Sequence, residues 1–340
     1  MAYTLEGIAK LVGVSRSTVS RVMNEQPYVS DEVRERVWAV VRQVGYQPRA
    51  AARSLVTNRT QVIGLLIPEA VSTIFTQPYF SLLIGGITEA CNQHRYQLML
   101  SLFSHRSEQE GHYRRAIRSG YLDGVIVASW HEADPLVPRL LEDGVSFVSV
   151  GHPDDPRINY VDVDNADGAR MATDHLLRRG HRRVATITGP LTMAPGRDRL
   201  AGYRQALAGR GLSVNEDLVA GGDFTEEGGH SAMRRLLPHK PTAVFAASDT
   251  MAFGALQMLK DAGLAVPGDV ALVGFDDLPL ASIVEPALTT IRQPIGRLGA
   301  TAVEVLLSLL EASNDDGASV QRVILPTELI VRASCGSPLL

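Results

Sequence analysis

Residues 4–56 read TLEGIAKLVGVSRSTVSRVMNEQPYVSDEVRERVWAVVRQVGYQPRAAARSLV, and this stretch decides how the rest of the chain is understood. Its middle, Val14 to Asn24, has the pattern of a short helix with a divided surface. Ser15 is a good N-cap, and Val14 is placed to staple against Val19. At about 100° per residue, Val19, Val22 and Met23 share one arc, whereas Arg16, Ser17, Ser20, Arg21 and Asn24 share another. The first arc is a core face. The second is small, polar and positively charged, which suits an element reading base edges in a DNA major groove. Upstream, Thr4 caps a helix carrying Leu5, Ile8, Ala9 and Val12 on its buried side, and Gly13 permits the tight turn that follows. Downstream, Ser30 caps a third helix, Asp31 and Glu32 favour its positive end, and Val33, Val37, Val40, Val41 and Val44 repeat at helical spacing up to Gly45. Three short helices with a glycine turn between the first two make an N-terminal all-α helix-turn-helix headpiece, residues 1–47. The plainer alternative is a small bundle whose polar face is merely solvated. Charge favours DNA: residues 1–60 carry nine Lys and Arg against five Asp and Glu, net +4, in a chain of net −4.

Residues 48–60 form the connecting hinge or linker. Arg49 to Leu55 has high helix propensity, yet a segment this short is marginal alone in water and folds only when something holds it. Arg49 and Arg53 lie one turn apart for phosphates, and Leu55 suits a wedge between base steps in the minor groove. An ordinary interdomain linker with an incidental leucine explains the same composition.

Beyond residue 60 the pattern changes to short apolar runs separated by amphipathic segments. Expected strands are 62–67, 97–103, 124–128, 147–150 and 160–163, with helices at 80–94 and 108–119 between them. A second series follows: helix 166–179, strand 183–188, helix 198–210, strand 218–222, helix 226–236, strand 243–246, helix 250–262 and strand 270–273. Near-continuous apolar strands alternating with helices imply two buried parallel sheets, hence a two-lobed α/β body with a ligand cleft at the carboxyl ends of the strands.

The motifs TLEGIAKLVGVSRSTVSRVMN, VSDEVRERV, GYQPRAAARSL, GHRRVATITGP, RLAGY, DVALVGFDD and PALTTIRQP resemble the LacI family of bacterial transcriptional regulators over essentially the whole chain. The resemblance implies a periplasmic-binding-protein-like body whose C-terminal segments return to the first lobe. That places lobe 1 at about 61–161 plus 291–323 and lobe 2 at about 162–290 plus 324–340. It implies a recognition helix whose Arg16, Ser17 and Arg21 read bases of a palindromic double-stranded operator, with Thr4, Leu5, Ser15, Thr18, Ser20, Asn24, Tyr28 and Ser30 around them. Leu55 is then the hinge wedge. Arg49-Ala50 departs from the Asn-Arg that usually starts this hinge.

Composition excludes several classes. With 340 residues and 45% hydrophobic content the chain can bury a large body beside the headpiece. Two cysteines outside any metal spacing point to a reducing cytoplasm; no signal peptide or apolar run of ~20 residues is seen, so no membrane role is expected. No G-x-G-x-x-G follows the first strand, and no P-loop, H-E-x-x-H or G-x-S-x-G occurs, so neither an enzyme nor a cofactor or metal site is expected.

The cleft residues are the positions at strand ends. Phe224, Asp249 and Asp276 follow strands and Arg199 opens the helix after Gly189-Pro190; two carboxylates, an arginine and an aromatic suit a polyhydroxylated ligand. Taken singly, Asp249 reads equally as an N-cap, Phe224 as core and Arg199 as a surface ion pair. The resemblance implies effector contacts for Arg199, Phe224, Asp276 and Gln293, and Tyr79-Phe80 look like the aromatic pair of a purine-responsive member. Met193 stands where that member has an arginine. Ile74 to Phe80, with Trp130, more closely resembles regulators of cello-oligosaccharide and glycoside uptake. The expectation is therefore a homodimeric repressor with a cellobiose-like inducer. A purine- or metabolite-dependent corepressor regulator is the alternative, and a sugar-binding protein without a DNA role is a remote one.

Overall fold

The structure, a computed structural model, describes residues 4–23, 26–46, 59–69, 71–102, 117, 120–131, 134–312 and 319–336. Its contacts fall into two units, Met1–Thr60 and Gln61–Leu340.

The first unit holds α1 (Leu5–Val12), α2 (Arg16–Met23) and α3 (Asp31–Val44). Thr4 Oγ1 accepts the Gly7 N–H at 3.2 Å, and Ser15 Oγ accepts that of Thr18 at 3.1 Å. Gly13 ends α1 at φ 77°, a left-handed conformation that glycine adopts without a Cβ penalty. Ile8, Val19, Val22 and Val37 are fully buried, with Ala9, Val12 and Val41 beside them and Val14, Met23, Val33, Val40 and Val44 packed around. From α3, Arg36 Nη2 donates to the Val12 carbonyl at 2.5 Å, satisfying a helix-end acceptor. Ser30 departs from expectation: it has N-cap backbone geometry, but its hydroxyl makes no cap hydrogen bond. Its carbonyl takes the Arg34 N–H at 3.0 Å, and Asp31 and Glu32 supply the negative charge at the helix start.

The second unit is built on two six-stranded sheets. The first contains β1 (Val62–Ile67), β2 (Gln97–Leu102), β3 (Gly124–Ala128), β4 (Phe147–Val150), β5 (Tyr160–Val163) and β11 (Arg322–Leu325). Its order is β11-β5-β4-β3-β1-β2, parallel throughout. The second contains β6 (Val184–Thr188), β7 (Val219–Gly221), β8 (Ala243–Ala246), β9 (Ala271–Asp276), β10 (Thr289–Arg292) and β12 (Glu328–Ile330). Its order is β12-β10-β9-β8-β6-β7, with only β12 antiparallel. β1, β3, β4, β6, β8 and β9 are almost wholly buried because helices cover both sheet faces.

On lobe 1, after the short α4 (Val71–Thr76), α5 (Pro78–Gln93) and α11 (Ile295–Ala312) pack together on one face and α6 (Leu136–Glu142) on the other. On lobe 2, α7 (Asn165–Arg178) and α8 (Ala194–Ala208) cover one face, α9 (Glu226–Leu236) and α10 (Asp249–Asp261) the other. The chain crosses between lobes three times, after β5, after β10 and after β11, always at the same edge of each sheet.

Two boundaries differ from the sequence reading by more than two residues. α8 begins at Ala194, four residues early, because Pro195 sits in the first turn, where its missing N–H has no partner to lose. β9 runs on to Asp276 because β10 pairs with it as far as Arg292 opposite Asp276. The helix expected at 108–119, Ile117 apart, and the hinge candidates Arg49, Arg53 and Leu55 lie outside the described residues, as does Asn24.

Candidate DNA-reading face and effector cleft

On the headpiece, the side of α2 away from the core presents Arg16, Ser17 and Arg21 exposed and Ser20 half-buried. Ser15 Oγ lies 2.7 Å from Ser17 Oγ and 2.8 Å from Thr18 Oγ1, so three hydroxyls form a cluster at the start of the helix. Tyr28, 87% exposed, and Ser30 flank this element. Thr4 is exposed but engaged as a cap, and Leu5 is a half-buried packing residue. The face offers guanidinium donors and hydroxyls at a helix start, the chemistry that contacts base edges and phosphates.

In the body, a cleft of about 940 Å³, mouth included, lies between the lobes. It is lined from the carboxyl ends of strands: Ser129 and Trp130 after β3, His152 after β4, Asp162 in β5 and Asn165 after it. From the other sheet come Phe224 after β7, Ser248 after β8, Asp276 ending β9 and Gln293 after β10. This is the position the switch-point rule assigns to ligands in open α/β sheets.

The inner end is charged and almost wholly buried. Arg199, 5% exposed, is held by four groups: the Ala247 carbonyl at 2.6 Å, Asn165 Oδ1 at 2.8 Å, Asp276 Oδ1 at 3.5 Å and the Phe275 ring at 3.6 Å. Gln293 Nε2 donates to Asp276 Oδ1 at 2.6 Å. Burial pushes the Asp276 carboxyl up to about 6, against the pull of Arg199 and the Gln293 amide, and it lowers the Arg199 guanidinium from its usual value. The outer walls are aromatic. Tyr79 and Phe80 meet edge-to-face at 5.5 Å, and Trp130 is aimed by its Nε1 donating to Ser149 Oγ at 2.9 Å. Burial, then the carboxylates of Asp276 and Asp162, raises the Tyr79 phenol.

Phe224 depends on Gly189: a Cβ there would stand 2.1 Å from the Phe224 ring. Three lining residues, Ser129, Phe224 and Asp276, have positive φ (56°, 65° and 123°). Such backbone conformations cost about 1–3 kcal/mol each and concentrate where a fold must aim a side chain.

Of the expected cleft residues, Tyr79, Phe80, Trp130, Arg199, Phe224, Asp276 and Gln293 all line the cavity. Asp249 does not. It is fully buried beneath the cavity, accepting from Thr290 Oγ1 at 2.5 Å and the Leu278 N–H at 2.8 Å. Nor is it the N-cap, which is Ser248, whose Oγ accepts the Met251 N–H at 3.1 Å. Asp249 ties the start of α10 to β10 and to the loop after β9. Burial first, then the neighbouring Asp276 charge, raises its carboxyl well above the usual range.

Asn165, Asp162, His152 and Gln77 were missed. Asn165 carried a signal, an amide two residues beyond the end of the strand YVDV. Asp162 accepts from His152 Nδ1 at 2.9 Å, and that bond is the main reason the imidazole is held above its ordinary pKa. Among the described residues only His152, Asp162 and Asp198 group as possible cation ligands.

Comparison with known proteins agrees with this geometry. The profile of "Bacterial regulatory proteins, lacI family" matches residues 4–49, and that of "Periplasmic binding protein-like domain" residues 173–335. The HTH-type transcriptional regulator CelR of Thermobifida fusca is 40% identical over 338 residues, 97% of this chain and 98% of that protein. The ribose operon repressor of Escherichia coli K12 is 37% identical over 315 residues, 89% of this chain and 92% of that protein. Among solved structures, a transcriptional regulator CelR–cellobiose complex superposes with TM-score 0.78 at 38% identity, covering 98% of this chain and 99% of that one. The lac repressor dimer bound to operator and the anti-inducer ONPF superposes with TM-score 0.85 at 27% identity, with the same coverage. The chain belongs to the LacI family of bacterial transcriptional regulators.

Proposed function

We propose that this chain is a cytoplasmic, homodimeric repressor that binds a palindromic operator and releases it when a β-linked glucose disaccharide, cellobiose or a close analogue, occupies the cleft. The observation that carries the sugar reading is the cleft itself, a sealed Arg199–Asp276–Gln293 cluster facing aromatic walls. Charged groups hold vicinal hydroxyls, and rings cover the C–H faces of a sugar. Trp130, on the opposite lobe from that cluster, is placed to floor a second ring. The solved CelR–cellobiose complex supports the same ligand. No helix among the described residues is long and apolar enough to cross a membrane.

In this reading Arg16, Ser17 and Arg21 contact bases, with Thr4, Ser15, Thr18, Ser20, Tyr28 and Ser30 on the backbone and flanks. One eight-residue helix reads too little for specificity, so two-fold symmetry supplies a second half-site. Effector weakens operator binding only by its preference for the closed cleft, typically ~1–3 kcal/mol of coupling. The test is operator binding by fluorescence anisotropy with cellobiose, maltose, guanine or hypoxanthine present. Release by cellobiose alone is the expected result. Tighter binding with a purine, whose ring the Tyr79–Phe80 pair would then stack, replaces the sugar reading with a corepressor one.

A further inference from the structure

Among the described residues, four polar side-chain contacts cross the cleft. Gln77 Nε2 donates to the Phe224 carbonyl at 3.2 Å, and His131 Nδ1 lies 2.9 Å from Thr192 Oγ1. The other two pair a basic with an acidic side chain. The turn after β4 presents His152 and then Asp154; the first turns of α8 present Arg197 and Asp198. His152 Nδ1 stands 3.5 Å from Asp198 Oδ2, and Arg197 Nη2 stands 3.7 Å from Asp154 Oδ2. The two residues of each lobe are opposite in sign, so one alignment satisfies both pairs and sliding the lobes brings like charges together. His152 is aimed from its own side, because Asp162 Oδ2 accepts both its backbone N–H at 3.0 Å and its Nδ1 at 2.9 Å.

We propose that this quartet is a latch that biases the cleft toward closure before effector binds and so sets how much effector is needed to release the operator. The proposal rests on the reading that closure releases DNA. An effector shifts a two-state equilibrium by its differential affinity alone, so any closure already supplied by the protein lowers the concentration required. Each pair is partly exposed, and such pairs shift an equilibrium only about 1.5- to 5-fold. That size suits a bias and would not lock the cleft permanently. The ligand atoms of His152, Asp162 and Asp198 also lie within 4.8 Å of one another, as a cation site requires. The oxygens of Asp162, however, already accept from His152, the Val163 N–H and the Asn165 amide, which favours ion pairing over metal.

The test uses the full chain without ligand, labelled with a donor–acceptor dye pair on cysteines introduced at the exposed Glu142 of lobe 1 and Lys260 of lobe 2. The native Cys91 and Cys335 are both buried and compete little for dye. Asp154→Arg and Arg197→Asp should each raise the open-to-closed ratio about two- to fivefold and raise the half-saturating cellobiose concentration by up to that factor. The double variant, with the charges exchanged, should return both toward their starting values, a rescue that mere loss of packing does not give. Single variants that leave the open population unchanged, or a double variant as open as the sum of the singles, overturn the latch. Closure that disappears on adding EDTA overturns it in favour of a bound metal. A chain that shows the rescue without binding cellobiose keeps the latch and counts against the proposed effector instead.

Discussion

Arg21 and Arg199 place the same guanidinium under opposite conditions. Arg21 is exposed on α2, on a face that also carries Ser17 and Ser20, where an anion or base edge would have to come from outside. Arg199 is sealed in the cleft, already opposed by a carboxylate, a carbonyl, an amide and an aromatic ring. An exposed arginine contributes to binding and little to folding. A buried one is part of the fold, and what it offers a ligand is a fixed direction rather than spare charge.

Breaking the buried side should have the largest effect. Arg199→Ala leaves Asp276 as an uncompensated buried charge, and loss of one partner of a buried pair costs about 3–5 kcal/mol. Urea denaturation should show that loss together with a missing sugar response; wild-type stability would end the contrast drawn here. Next, Arg21→Ala should weaken specific operator binding by roughly ten- to a hundredfold, from the ~1–3 kcal/mol of a base contact, and leave the denaturation midpoint and sugar affinity unchanged. Anisotropy titrations against operator and scrambled duplex measure both halves.

Trp130→Ala tests the aromatic wall. Calorimetry should show cellobiose weakened about three- to tenfold and glucose within twofold, since only a second ring reaches that side chain. Equal losses for both sugars would place Trp130 under the first ring.

The smallest effect is set by pH. Asp276, held up to about 6 by burial, is roughly a quarter ionised at pH 5.5, so sugar affinity should fall about fourfold from pH 7.5, and Asp276→Asn should flatten the profile. Stability runs the other way. A carboxyl whose folded pKa is raised contributes stability that is present below its ordinary value near 3.8 and is lost as pH rises through about 6. The ligand-free chain should therefore gain from this group in acid, where effector binding weakens.

The headpiece was legible almost to the residue because its signals are local: caps at Thr4 and Ser15, glycine at 13 and 45, and valines at helical spacing. The strands were legible because each is a short apolar run between polar turns. Boundaries failed where proline sits inside a helix start, at Pro195 and Pro78. In the cleft, strand ends and the family resemblance pointed to Arg199, Phe224, Asp276 and Gln293. The partners that hold them did not show. Gln77 meets Phe224 across 147 residues of chain, and Arg199 meets Asn165 across 34. No periodicity reports such a meeting. Asp249 failed for a related reason: a carboxylate before a helix looks the same whether it faces a ligand or braces a neighbouring strand.

The three crossings between lobes have a mechanical consequence. All lie on one edge of the paired sheets, so the permitted relative motion is rotation about that edge, and displacement grows with distance from it. Asp162, Asn165 and Gln293 lie at or just beyond the ends of the crossing strands and act near the pivot, where geometry is conserved through the swing. Trp130 and Gln77 lie toward the far side and travel the longer arc. A bound sugar would thus be gripped first by groups that hardly move and capped last by those that sweep in, which orders the events of capture without requiring any flexible lid.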